Sequence, residues 1–128
     1  MLAIPVTVCL TGVFALMLIV LSLNVSFRRR DLQVALGDAN DPALRRRMRA
    51  HGNFIENAPF CILVVLGLEA VLANSTWIWP VAAAFVIARV LHAIGTLKGS
   101  GPALIAPAMV IQHGVMACAA IWLLIQSI

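Results

Sequence analysis

Four apolar segments, each long enough to cross a bilayer, are joined by short links. The spans read as about 4–27, 42–72, 78–97 and 103–126, with connections at 28–41, 73–77 and 98–102. A hydrocarbon core about 30 Å thick needs about 20 apolar residues in a helix. Short links make consecutive helices antiparallel neighbours. The expected fold is therefore an all-α membrane protein: an antiparallel, up-down bundle of four transmembrane helices, forming a single domain over residues 1–128. Composition agrees, with 62% hydrophobic and 11% charged residues, against about 25% charged in soluble domains. The first segment lacks a basic stretch before it and a small-residue cleavage site after it, so it reads as a retained helix.

The net charge of +4 does not point to nucleic acid, because the cations cluster beside apolar segments. Arg28, Arg29, Arg30, Arg45, Arg46, Arg47 and Arg49 flank the first connection and Lys98 lies in the third. The positive-inside rule places these connections in the cytoplasm and both termini on the other side. Trp77, Trp79 and Trp122 then fall near the outer ends, as an aromatic belt requires. The expected location is a membrane, multi-pass, in contact with lipids.

The second span carries the chemistry. Asp41 is a suitable N-cap and Pro42 suits the first helical position. Arg45, Arg49, Asn53 and Glu56 then fall within about 80° of one another around the helix. Two guanidinium groups, an amide and a carboxylate descend from the interface into the bilayer, where ionisable groups are costly and mark functional sites. Such a face suits a small polar, anionic molecule. For Arg45, Arg46 and Arg47, topology and headgroup contact is the plainer reading. Pro59 removes the hydrogen bond to Ile55 and allows a kink beside Glu56; an ordinary tolerated kink is the alternative. On the third span Arg89 and His92 are i, i+3, with Thr96 one turn on. Glu56 is expected to pair with Arg89, as part of a site or as a purely structural bridge.

The stretch Arg49-Ala50-His51, Asn53, Glu56, Pro59, within GDANDPALRRRMRAHGNFIENAPF, resembles the signature of the MAPEG family, the membrane-associated proteins in eicosanoid and glutathione metabolism. Ala88-Arg89-Val90-Leu91-His92-Ala93-Ile94-Gly95 is similar to its second signature. Nearly the whole chain shares the family's four-span layout, closest to the small bacterial members. The resemblance implies a homotrimer that binds glutathione in clefts between subunits, open to the cytoplasm. It also implies conjugation or reduction of lipophilic electrophiles and peroxides, or isomerisation of lipid endoperoxides. It places Arg49, Asn53, Glu56, Arg89 and His92 in the polar lining. Asn53, Glu56 and His92 are its glutathione contacts, and Arg89 holds Glu56.

The residue types suit that ligand on their own terms. Arginine forks suit carboxylates, and Glu56 can accept an ammonium. A transferase must also lower the thiol pKa from about 8.5. Here the chain departs from the catalytic members. No arginine follows Arg89, the stretch Leu104-Ile105-Ala106-Pro107-Ala108 is apolar, no tyrosine occurs, and Thr96 stands where a tyrosine would follow the histidine. Ser26 lies near the place of a first-helix arginine, with Arg28 two residues on. Arg28 and Lys98 are the remaining candidates for thiol activation.

The other polar residues have plain readings. His51 lies about 200° from Asn53 around the helix and reads as structural. Gln112 and His113 are expected to bond between helices or subunits. Cys9, Cys61 and Cys118 read as buried free thiols without metal spacing, and Glu69 is expected to snorkel to water. Gly12, Ala15, Gly114, Ala117 and Cys118 permit close helix packing. Two function classes follow. One is a glutathione-dependent transferase or peroxidase acting on a lipophilic small molecule. The other is a non-catalytic protein of the same fold that binds glutathione, lipid or a protein partner. A small multidrug exporter would need a carboxylate in the first span, which has none.

Overall fold

A computed structural model of the chain describes residues 4–73 and 76–128; positions 74–75, in the second connection, lie outside them. The described residues form four helices: α1 (Pro5–Asp31), α2 (Pro42–Leu72), α3 (Ile78–Lys98) and α4 (Pro102–Gln126). All four are long and apolar enough to cross a membrane, and together they form an all-α bundle of membrane type. α2 and α3 pack together in the middle, α1 lies against both, and α4 lies against both. Among the described residues α1 and α4 do not touch.

The helix ends show an up-and-down path. Arg47 Nη1 at the start of α2 donates to the Asn24 carbonyl late in α1 (3.0 Å). At the far end, the Glu69 carboxylate of α2 meets the start of α1. Gly67 of α2 faces Leu123 of α4, so these two helices run in parallel. α3 closes on α4 at Gly95, where an added Cβ would lie 2.9 Å from Leu104 Cβ and 3.0 Å from Ile105 Cγ1.

Asp41 caps α2: its Oδ1 accepts from the Leu44 amide (2.6 Å), and Pro42 opens the helix. The same carboxylate is gripped at both oxygens by Arg28, at 3.2 and 2.7 Å. The Arg28 hydrogen bond and the Leu44 amide hold the Asp41 carboxyl down at about 2. A depressed carboxylate stabilises the fold above its ordinary pKa, and that contribution disappears as pH falls through the folded value. The wild type is therefore expected to lose thermal stability relative to Asp41→Asn as pH drops from about 4 to 2. Unfolding curves in detergent across that range test this, and a constant difference would refute it.

Glu69 does not snorkel. It is 3% exposed, and its two oxygens accept from the main-chain amides of Val6 (2.9 Å) and Thr7 (2.7 Å). α1 has no side-chain cap of its own at Ile4. Its first amides are unpaired donors at the positive end of the helix dipole, and a carboxylate from α2 satisfies them.

Two further expectations are corrected, and a third, that of His113, is not met by a bond to another helix of the chain among the described residues. Cys61 is buried, but Cys9 and Cys118 lie on the outside of the bundle. An added Cβ at Gly12 or Gly114 would meet nothing within 4 Å, so the close approaches within the chain fall at Gly95 and Gly67 instead. His113 is exposed, and its Nδ1 lies 2.8 Å from the Met109 carbonyl of its own helix.

Candidate functional site

The buried stripe of α2 runs through Ala50, Phe54, Ala58, Cys61 and Val65. Its spacing of three and four residues is that of one helical face. Asn53 lies at the edge of this stripe and is 8% exposed. Glu56 lies about 160° around from its centre by helical geometry, and is exposed. This explains the main correction to the site: Arg89 does not pair with Glu56.

Arg89 Nη1 instead donates to Asn53 Oδ1 at 2.7 Å. The guanidinium is 1% exposed, and its Nη2 lies 3.8 Å from Met109 Sδ on α4. His92, one turn along α3, is buried, with its Nδ1 3.5 Å from the Thr96 hydroxyl. Asn53, Arg89 and His92 thus form a polar seam between α2 and α3, with Arg89 fixing Asn53.

Arg49 and Glu56 stand outside that seam. Both are exposed, and neither makes an ion pair among the described residues. They are seven residues apart on one face of α2, so an exposed cation and an exposed anion flank Asn53. Glu56 lies about 21 Å along the helix from Pro42, at a depth where an unpaired carboxylate is costly.

The other arginines of the region are largely committed. Arg45 Nε bonds Asp38 Oδ2 at 2.8 Å, so it supports the first connection rather than the site. The Asp38 carboxyl is lowered by the Asn40 amide and by Arg45. Arg28, a candidate for thiol activation, is held by Asp41. Lys98, the other candidate, is exposed at the end of α3. Arg46 lies beside Gly99, the residue that follows, with its Cδ 3.4 Å from the position of an added Gly99 Cβ. His51 is half-buried.

Sequence reasoning missed Asn57. Its Nδ2 donates to the Asn53 carbonyl (2.8 Å), and its Oδ1 accepts from Gln112 Nε2 on α4 (2.7 Å). The signal was available: Asn57 is one turn beyond Asn53 on the same side. Gln112, fully buried, does bond between helices as expected.

An apolar groove of about 670 Å³ lies between α2, α3 and α4 at the end holding Trp77 and Trp122. Its lining is apolar apart from Cys118 and the Trp rings, and it contains none of Arg49, Asn53, Glu56, Arg89 and His92. The polar face of α2 is therefore separate from it.

Neither the curated proteins nor the solved structures contain a match to this chain. The family model described as MAPEG family matches residues 7–125. With nearly the whole chain covered, this four-helix membrane protein belongs to the MAPEG family.

Proposed function

We propose that this is an integral membrane, glutathione-dependent transferase or peroxidase that conjugates or reduces a lipophilic electrophile at the cytoplasmic membrane boundary. The observation that carries the reading is the exposed, unpaired Glu56 with Arg49 on the same face of α2 and the buried Asn53–Arg89 bond beside them. Glutathione near pH 7 has two carboxylates and one ammonium. Arg49 suits a carboxylate, Glu56 suits the ammonium, and Asn53 and His92 supply neutral polar contacts. Arg89 acts through Asn53. The polar face is open along one side, which fits a cleft completed by a neighbour in a homotrimer. The arginine-rich end faces the cytoplasm of a bacterial inner membrane under the positive-inside rule.

The thiol must become a thiolate for conjugation. Lys98 is the cation left for that task, since Arg28 grips Asp41. That commitment of Arg28, with the apolar start of α4, favours one second reading: a MAPEG-fold protein that binds glutathione, lipid or a protein partner without activating the thiol.

Ultraviolet absorbance of the thiolate, read while glutathione is added to the detergent-purified protein, separates the two. The transferase reading predicts a thiolate signal that is lost in Lys98→Gln, together with turnover of a lipophilic aryl halide. Binding with neither signal supports the second reading and overturns the first.

A further inference from the structure

Four polar side chains meet between α2, α3 and α4, and their hydrogen bonds run in one chain. Arg89 Nη1 donates to Asn53 Oδ1, Asn57 Nδ2 donates to the Asn53 carbonyl, and Gln112 Nε2 donates to Asn57 Oδ1. The two ends return to the same part of α4. Arg89 Nη2 reaches Met109, and Gln112 is the next residue on that face, three positions on.

Each end leaves one buried atom without a partner among the described residues: Arg89 Nε, a donor, and Gln112 Oε1, an acceptor. Arg89 is 1% exposed and Gln112 0%, so bulk solvent reaches neither. Turning the amides over does not relieve them. If Gln112 is reversed, its oxygen faces Asn57 Oδ1. If Asn57 is reversed as well, its oxygen faces the Asn53 carbonyl. The main-chain carbonyl therefore fixes both amide orientations, and the leftover pair is always one donor and one acceptor.

An unpaired polar group in such surroundings costs about 1–3 kcal/mol, and more for a charged one. The chemistry of the missing partner follows from the pair. A metal cation is repelled by the guanidinium and finds no acceptor at Nε. A simple anion satisfies Arg89 but has no proton for Gln112. A water molecule does both, and buried waters occupy sites with 2–4 polar partners. We infer that α2, α3 and α4 enclose a binding site for one water molecule, which accepts from Arg89 Nε and donates to Gln112 Oε1. It closes the chain into a ring. The ring makes Gln112 a positioning residue for the Arg89 guanidinium, and through it for Asn53. The inference stands whether or not the protein binds glutathione.

The test is a crystal structure of the full chain at a resolution that shows ordered water, with Gln112→Met alongside. The wild type is expected to show a density peak about 2.7–3.2 Å from both atoms, absent in Gln112→Met. The variant is expected to lower the detergent unfolding midpoint by about 5 °C and to move the Arg89 side chain. A direct Arg89 Nε–Gln112 Oε1 bond, a dry gap, or a water touching only one atom overturns the inference. The wild-type density decides the matter even where the variant fails to fold.

Discussion

Glu69→Ala is expected to destabilise the folded chain by roughly 3 kcal/mol, because hydrogen bonds to charged groups contribute about 1.5–3 kcal/mol and here two are lost together. The substitution leaves the Val6 and Thr7 amides, in residues 2% and 6% exposed, with no acceptor. It also removes an anion from the positive end of the α1 dipole, worth up to about 2 kcal/mol in a partly buried setting. These contributions overlap, so they do not add. Glu69→Gln keeps one acceptor and places an amide NH2 against the second donor, and is expected to cost less than alanine but more than 1 kcal/mol. Unfolding in mild detergent, followed by circular dichroism, checks the order wild type, Gln, Ala. Equal stability of all three would remove the carboxylate from any role in holding α1 to α2.

Gly95→Leu is expected to be at least as damaging, for a steric reason. A Cβ there would lie 2.9 Å from Leu104 Cβ and 3.0 Å from Ile105 Cγ1. The Ile105 main-chain nitrogen, at 3.4 Å, limits how far α4 can yield. Overpacking a tight contact costs about 1–3 kcal/mol for small excesses. A leucine exceeds that by a whole side chain, and would push α4 away from α3. Gly95→Ala is expected to cost about 1–2 kcal/mol. By contrast, Gly12→Ala and Gly114→Ala, with open space at both positions, are expected to leave the monomer's stability within about 0.5 kcal/mol. Parallel unfolding of the four variants tests the contrast. A neutral Gly95→Ala would mean that α3 and α4 are further apart than described.

Much of this was legible in the sequence, because membrane spans are read from length and hydropathy alone. The four helices and the Asp41–Pro42 start of α2 depend only on local signals. The paired signatures around Asn53 and Arg89 pointed to the family. What was not legible depended on how helices rotate against one another. Glu56 and Arg89 carry opposite charges at similar depth, which made their pairing the natural expectation. The small and apolar positions Ala50, Phe54, Ala58 and Cys61 turn a different face of α2 inward, and that face brings Asn53 to Arg89. The expectation that Glu69 snorkels to water fails because its partners are the main-chain amides of Val6 and Thr7, which no residue pattern announces. Asn57 carries no charge to mark it, and only its spacing of one turn from Asn53 signals its place in the network.

The central claim is that the α2 face of Arg49, Asn53 and Glu56 binds glutathione. Isothermal calorimetry on detergent-purified wild type and Glu56→Gln tests it most directly. Losing a charge-assisted contact to the ammonium is worth about 1.5–3 kcal/mol, so the account predicts saturable binding to the wild type and a Kd raised roughly 10- to 100-fold in the variant. The variant's unfolding midpoint should stay unchanged, because Glu56 makes no ion pair among the described residues. No heat at millimolar glutathione, or the same Kd for both proteins, would contradict the account and leave the family and the four-helix fold as they stand.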